Sequence, residues 1–392
     1  MFFSIKLDRM LNMGEIAPLF PVLRPGACPL RITFLSPRSN LSGGLRVIAT
    51  YARMLHERGH QVTIITPGPE SRGRKERLQA ATKGDFSPVR TEPGHFDTLP
   101  LPIRETNRSD YQIEAHDLPD ADILVATWWE TAFPVNAAPP EKGRKFRLIQ
   151  GHEVHGFLPW QIARGAYHLP LKPLVISNWL ASALYEETGR EDAILVPNGI
   201  DFEQFHAPER EKAQRPTLGF MYSPWPIKGS DTVFETVKIL KQKMPDLDVV
   251  AFGANPPTQK MPLPEGAIFH HRPAQSRIRD IYAACDVFLC ASTSEGFFLP
   301  LLEAMACRCP LASTRVGAAE DLIVEGTTGF LADVGDAAGL AEAAHKVLSL
   351  SAPDWRKMSD ASLRTAQSHS WDKACDRLEQ CFQNELTAAQ GS

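Results

Sequence analysis

Short apolar runs alternate along this chain with stretches whose apolar positions recur three and four apart. LRITFLS (30–36) and QVTIIT (61–66) have the length and β-branched content of buried strands, and GGLRVIATYARMLHERG between them carries the helical period. Strand, helix and strand in that order predict one right-handed βαβ unit. Apolar runs at 123–127, 146–149, 174–177 and 193–196 continue the series. A second series opens with TLGFMYS, the helix GSDTVFETVKILKQKMP and LDVVAFGA. It continues through IFHH, the helix SRIRDIYAAC, DVFLCAS, PLASTRV and the helix AAGLAEAAHKVLSL. The expected fold class is α/β, with two doubly wound parallel-sheet domains facing across a cleft. Ligands of such sheets bind beyond the carboxyl ends of the strands, where the strand order reverses.

A chain of 392 residues suits two domains of roughly 180 to 200 residues each better than one core. PNGIDFEQFHAPEREKAQRP, rich in Pro, Gly and charge, separates the two series. The expected division is a loosely ordered leader over 1–29, a first Rossmann-like domain over 30–196, a linker over 197–215 and a second Rossmann-like domain over 216–370. A C-terminal helix over 371–392 is expected to pack back toward the first domain. From Pro67 to about Asp117 the sequence is polar and broken by Pro and Gly, and it carries RGRKER at 72–77, so a long surface excursion is expected there.

Composition removes several classes of function. Apolar residues make up 43%, and no window reaches the ~18 consecutive apolar residues of a membrane helix. The start MFFSIKLDRMLNMGEIAPLF is too interrupted for a secretory signal, so a cytoplasmic protein is expected. Seven cysteines, an odd number set mostly in apolar patterns, read as reduced thiols. Cys307 and Cys309 lack metal-ligand spacing, and no metal site is expected. A net charge of −4 lacks the basic excess of a nucleic-acid binder.

The candidate chemistry lies in TSEGFFLPLLEAMACRCP (293–310), where Glu295 and Glu303 bracket an apolar run. Pro300 suits the first position of a helix, which puts Glu295 in the preceding loop and Glu303 in the first turn. Gly296 allows close backbone approach. Such a helix start can bind phosphate through backbone N–H groups while carboxylates accept from sugar hydroxyls. An acid in a first turn is also favourable through the helix dipole alone, by about 0.3 to 1 kcal/mol. Asn40 to Gly44 (NLSGG), with Gly43 and Gly44, follows a strand and opens a helix, as an anion-binding turn or a plain tight turn would. Asp120/Asp122 and Asp246/Asp248 have metal-motif spacing but lead into strands at the wrong edge, and read as turn acids.

SEGFFLPLLEAMACRCPLASTRVGAAEDLIVEGTTGFL resembles the donor-binding signature of the retaining glycosyltransferases of the GT-B fold, of the group 1 or family 4 type. That group includes sucrose synthase and bacterial mannosyl- and rhamnosyltransferases, and Glu, seven residues, Glu is its mark. The resemblance extends to SGGLRVIATYARMLHERGHQVTIIT, LVISNWLASAL, VPNGIDFEQF and IKGSD, and so to most of the chain from Leu30 onward. It implies a nucleotide-diphosphate sugar as donor substrate, with no metal and no other cofactor. Glu303 would then accept the ribose hydroxyls, and Glu295 would contact the transferred sugar. The backbone of Gly296, Phe297 and Phe298 would face sugar and diphosphate, and Lys228 in IKGSD would contact the diphosphate. The Gly43–Gly44 loop would close over donor phosphate and acceptor. His152 in QGHEVHGF would orient the sugar, with His155 as competitor.

The resemblance is incomplete at three places. An arginine expected about six residues before Lys-Gly is absent, and FMYSPWPIKG offers Tyr222 and Ser223 instead. Phe298 stands where a glycine is common. Arg308 stands for a glycine at a helix end that favours φ > 0, either as a substitute positive charge or as a strained cap. The reading is a retaining transferase moving a hexose or deoxyhexose to a glycan or lipid-linked hydroxyl acceptor in bacterial polysaccharide biosynthesis. Its partners would be that donor and acceptor, no nucleic acid, and the inner membrane surface through peripheral contact, with 72–77 either contributing to that contact or forming a solvated loop. The alternatives are a GT-B-like nucleotide-sugar epimerase and a non-catalytic nucleotide-sugar binding protein.

Overall fold

The computed structural model describes residues 28–68, 82, 93–154, 156 and 158–390. The expected leader lies outside these residues except for its last two, and 72–77 and His155 lie outside them altogether. Among the described residues thirteen strands form two parallel sheets. The first holds β1 (Arg31–Leu35), β2 (Gln61–Thr66), β3 (Ile103–Glu105), β4 (Ile123–Ala126), β5 (Arg144–Ile149), β6 (Lys172–Val175) and β7 (Ile194–Leu195) in the order β3-β2-β1-β4-β5-β6-β7. The second holds β8 (Thr217–Met221), β9 (Asp248–Gly253), β10 (Ile268–His271), β11 (Val287–Cys290), β12 (Leu311–Thr314) and β13 (Gly329–Ala332) in the order β10-β9-β8-β11-β12-β13. In each sheet the order reverses beside its first strand, which is the doubly wound arrangement.

The helices described are α1 (Gly43–Glu57), α2 (Trp129–Ala137), α3 (Trp160–Gly165), α4 (Asn178–Thr188), α5 (Ser230–Lys243), α6 (Gln275–Ala284), α7 (Leu299–Ala306), α8 (Ala319–Leu322), α9 (Ala337–Leu348), α10 (Ala352–Gln367) and α11 (Trp371–Gln390). None of them is long and apolar enough to cross a membrane. By compactness the chain divides into one unit up to Val125 with Ala137–Lys145, and another of Ala126–Asn136 with Phe146 onward.

The inner parallel strands are apolar on both faces because helices cover both. In the second sheet Leu218 lies beside Val249 and Val287, and Phe288 beside Leu311. Leu218, Val249 and Val287 pack with Val233, Val237 and Leu240 of α5 and Leu340, Ala344 and Val347 of α9 in one core. Helix starts follow local chemistry: the Asp336 carboxylate accepts from the Gly339 N–H at α9, and the Ser351 hydroxyl accepts from the Asp354 N–H at α10.

Between β7 and β8 the chain is tied down by Asp286, which is fully buried at the foot of β11. It accepts from Arg210 at 3.1 Å, from the Ala213 N–H at 3.0 Å and from the Thr217 N–H at 3.1 Å. At the other crossing the Ile200 N–H donates to the His369 carbonyl at 2.9 Å, and a Cβ on Gly199 would run into the Trp371 nitrogen. Helix α11 then returns to strands of the first sheet. Phe382 meets Phe146 edge-on at 5.0 Å, and Glu385 pairs with Lys172 at 3.1 Å.

Two strands went unread in the sequence. β3 is three residues with an exposed edge pattern, and β13 (GFLA) is only half buried, so neither presents the apolar run that marks an inner strand. The paired acids are held by basic neighbours: Asp120 and Asp122, just before β4, pair with Lys142 at 2.9 Å and Arg31 at 2.8 Å, while Asp248 is not in a turn but opens β9 and pairs with Arg215 at 2.9 Å. All seven cysteines are free thiols. Five are buried, Cys381 is half-buried and Cys28 is exposed.

Candidate active site at the switch point of the second sheet

The order of the second sheet reverses between β8 and β11. The loop that leaves β8 carries Lys228, and the loop that leaves β11 carries Glu295. Their side chains meet: Lys228 Nζ donates to Glu295 Oε1 at 2.7 Å and Oε2 at 2.9 Å. The lysine side chain is 25% exposed and the carboxylate 9%. Glu295 also accepts from the Ser292 hydroxyl at 2.8 Å, and Lys228 Nζ sits 5.3 Å from the Phe298 ring centroid.

Glycine brings the two loops together. Gly229 adopts φ +63°, and a Cβ there would run into the Ala291 carbonyl oxygen at the end of β11. The loops are also joined by the Thr293 N–H, which donates to the Ile227 carbonyl at 2.9 Å.

Helix α7 begins one residue earlier than the proline suggests, with Phe298 as N-cap and Pro300 as the second helical residue. Glu303 is therefore the fifth residue of α7 and lies past the first turn. The helix-dipole account loses its weight there, because that effect fades within the turn. Glu303 is only 5% exposed, and it accepts from the Tyr282 hydroxyl of α6 at 3.0 Å. A buried carboxylate on an otherwise apolar helix is costly unless other groups use its remaining lone pairs.

Both flagged departures adopt the left-handed region, with φ +66° at Phe298 and φ +63° at Arg308. Arg308 is at the opposite end of α7, about 12 Å of helix from its start. Its guanidinium pairs with Asp360 of α10, and its carbonyl accepts from the Ser359 hydroxyl at 2.7 Å. It is an occupied cap at the far end of α7 from the loops that carry Lys228 and Glu295. Tyr222 is buried, and Ser223 bonds to Ser230.

Gly296 is held on its other side. A Cβ there would run into the Gln150 carbonyl oxygen, and the Gly296 carbonyl accepts from the Ser177 hydroxyl at 2.7 Å. This contact brings the segment carrying His152 to the Glu295 loop. His152 Nε2 is 3.4 Å from Glu187, and the ring packs edge-on against Tyr167 and Trp179. Beneath it Arg147 and Glu153 form a buried pair at 2.9 Å, with side chains 4 and 3% exposed. Burial pushes the Glu153 carboxyl up to about 7 against the pull of Arg147. Tyr167 donates to the Gly151 carbonyl at 3.1 Å and lies under the Arg147 guanidinium at 4.3 Å.

Gly43 and Gly44 belong to the other unit. There they open α1 after an N-cap, Ser42, that makes no side-chain cap bond, while Asn40 Oδ1 accepts from the Ser42 N–H at 2.7 Å. Among the described residues no three His, Cys, Asp or Glu side chains converge as a metal-binding group. Sequence reasoning missed Ser292, Tyr282 and Ser177. Each is an ordinary hydroxyl in an apolar run, and only the folded chain brings it to a glutamate or to the Gly296 carbonyl.

Two parallel-sheet Rossmann-like domains with a charged pair at a strand-order reversal define a GT-B fold. The comparisons agree. The sequence model described as Glycosyl transferases group 1 matches residues 215–349, and that of Glycosyltransferase Family 4 matches residues 41–204. Both domains are thus glycosyltransferase domains by sequence. Sucrose-phosphate synthase from Thermosynechococcus elongatus superposes with a TM-score of 0.67 at 16% identity, over 91% of this chain and 99% of that one. Anabaena HepE in complex with UDP-glucose gives 0.66 at 17% identity, over 92 and 100%.

Among curated proteins, N-acetyl-alpha-D-glucosaminyl L-malate synthase of Bacillus anthracis is 43% identical over 74 residues, 19% of each chain. D-inositol 3-phosphate glycosyltransferase of Mycobacterium leprae is 29% identical over 203 residues, 46% of each chain. The matched region thus spans less than half the length of these relatives. A longer match, 25% identical over 74% of this chain and 82% of the relative, is the GDP-mannose-dependent alpha-(1-6)-phosphatidylinositol monomannoside mannosyltransferase of Mycolicibacterium smegmatis.

Proposed function

We propose that this protein transfers a hexose or deoxyhexose from a nucleotide-diphosphate sugar to a hydroxyl of a glycan or lipid-linked acceptor, with retention at the anomeric carbon, in bacterial polysaccharide assembly. The observation that carries the reading is the Lys228–Glu295 pair on the two loops where the second sheet reverses order. A cation there suits a diphosphate, and a carboxylate there suits sugar hydroxyls. The named activities of the relatives, which join sugars to malate, to inositol phosphate and to a phosphatidylinositol mannoside, support transfer to a hydroxyl acceptor.

In this reading the bond from the anomeric carbon to the diphosphate oxygen breaks and negative charge grows on that oxygen. Lys228 and backbone N–H groups of the Gly296–Phe298 loop stabilise it. The acceptor oxygen attacks on the same face, and its proton passes to the departing phosphate, so no protein base is assigned. Glu303 holds the ribose, Glu295 the transferred sugar, and His152 orients that sugar. Gly43 and Gly44 border donor phosphate and acceptor. The diphosphate charge is met without a metal ion. The protein works in the cytoplasm, at the inner face of the membrane.

Incubation with a panel of nucleotide sugars and simple hydroxyl acceptors tests this, with the anomeric configuration of the product read by NMR. A new α-linkage from an α-configured donor is expected. An epimerised nucleotide sugar would instead indicate an epimerase, and tight binding without turnover would indicate a non-catalytic binding protein.

A further inference from the structure

The Glu295 loop is fastened from outside the second sheet by groups to which the reaction assigns no role. At the start of α4 the Ser177 hydroxyl, itself fully buried, donates to the Gly296 carbonyl at 2.7 Å and accepts from the Leu180 N–H at 3.3 Å. The next residue, Asn178, gives its backbone N–H to Asp321 Oδ2 at 3.0 Å and its side-chain amide to Asp321 Oδ1 at 2.8 Å. Asp321 lies on α8, which follows a segment packed behind the same loop. The Ala318 N–H donates to the Phe297 carbonyl at 3.1 Å, and Gly317, at φ +58°, leaves no room for a Cβ between Glu295 and Phe297. α4 therefore grips the loop twice, directly through Ser177 and indirectly through Asp321.

We propose that Ser177, Asn178 and Asp321 form a clasp that sets the direction of the Gly296–Phe297 peptide, and that they are positioning residues for the donor. A trans peptide points its N–H opposite to its C=O. Ser177 draws the Gly296 carbonyl toward α4, so the Phe297 N–H is directed to the other side of the loop. This inference rests on the function proposed above, in which that N–H faces the donor. Preorganised donors act on developing charge only while their direction is held, and a carbonyl freed from Ser177 lets the peptide turn. The bidentate bond to Asp321 keeps α8 and the loop behind it in register with Ser177. Sequence reasoning reached this segment as LVISNWLASAL, and the clasp gives its Ser-Asn pair a role.

The test uses Ser177→Ala, Ser177→Thr and Asp321→Ala in the full chain. Hydrogen–deuterium exchange of amides over residues 293–299, measured without ligand, should quicken at least tenfold in Ser177→Ala and Asp321→Ala and return to the parental rate in Ser177→Thr. Turnover at saturating donor should fall about tenfold in the first two, while nucleoside diphosphate affinity changes by less than about twofold. General destabilisation would quicken exchange across the whole chain and lower the melting temperature in step, and that result overturns the clasp. So does parental exchange over 293–299 in Asp321→Ala. A parent that binds no nucleoside diphosphate overturns the functional reading and the donor-facing role with it, whereas the exchange measurement still decides whether the loop is held.

Discussion

Lys228 Nζ lies within 2.9 Å of both carboxylate oxygens of Glu295, 67 residues further along the chain, so the cation proposed for the diphosphate is paired with a carboxylate of the protein itself. The diphosphate must compete with Glu295 for the lysine. Glu295→Gln removes the competitor and keeps the shape. Nucleoside diphosphate affinity should rise by roughly fivefold, about the 1 kcal/mol of a partly exposed pair. Transfer should fall at the same time, because the sugar loses a charged hydrogen-bond acceptor. Calorimetric titration and a transfer assay on one preparation check this. A parallel loss of affinity and transfer would show that Glu295 holds the nucleotide itself.

This pair also shows how far the sequence could be read. The inner strands were legible because each is a short apolar run bounded by turn residues, and β2 begins and ends where QVTIIT does. Edge strands β3 and β13 were not, since a half-exposed strand has no run to read. Lys228 and Glu295 were legible as candidates through resemblance, but nothing in IKGSD or TSEGF says that they bond to each other. Phe298 and Arg308 were flagged as standing where glycine is expected, and both do take positive φ. That Arg308 is bound to Asp360 depends on where α10 packs, which no local pattern encodes.

Glu303→Ala should weaken binding of every nucleoside diphosphate, because the ribose is common to all candidate donors. Loss of a charged acceptor costs about 1.5 to 3 kcal/mol, roughly 10- to 150-fold in affinity. The Tyr282 hydroxyl, 3.0 Å from Glu303, offers a control. Tyr282→Phe keeps the carboxylate for the ribose and should cost less than about tenfold. Fluorescence titration with a labelled nucleoside diphosphate separates the two. Equal affinity in Glu303→Ala and the parent would remove the ribose assignment.

The buried carboxyl of Glu153 makes stability depend on pH. Desolvation raises it to about 7, Arg147 opposes the rise, the Trp129 backbone bonds it and Glu130 adds to the rise. Tyr167 also packs there, and its own ionisation is pushed to still more alkaline pH by burial, with Glu153 and Glu187 adding to the rise and Arg147 opposing it. An acid whose folded value lies above its unfolded value binds more protons folded than unfolded between the two. Stability should therefore fall as pH rises from about 4.5 to about 7 and level off above, by roughly 3 kcal/mol at 1.36 kcal/mol per unit. Urea unfolding at pH 5 and pH 7.5 reads this as the difference between the parent and Glu153→Gln. The variant lacks this slope, although it leaves Arg147 without its carboxylate at every pH. Identical pH dependence in the two proteins would mean that Glu153 titrates normally.

The final prediction concerns how the diphosphate charge is met. The described residues place Lys228 on the reversal loops, Arg308 is bound at the far end of α7, and Tyr222 and Ser223 carry no charge. If Lys228 stabilises the leaving group, its contribution is greatest as the bond to the sugar breaks. Lys228→Ala should then lower turnover at saturating donor by about 100- to 1000-fold, roughly 2.7 to 4 kcal/mol, instead of only raising the donor KM. The variant also leaves Glu295 without its cation beside a bound diphosphate, so affinity for product should fall as well. Addition of a chelator should leave parental turnover largely intact. Normal turnover in Lys228→Ala together with loss of parental activity on chelation would assign the diphosphate charge to a metal ion and withdraw the lysine from the mechanism.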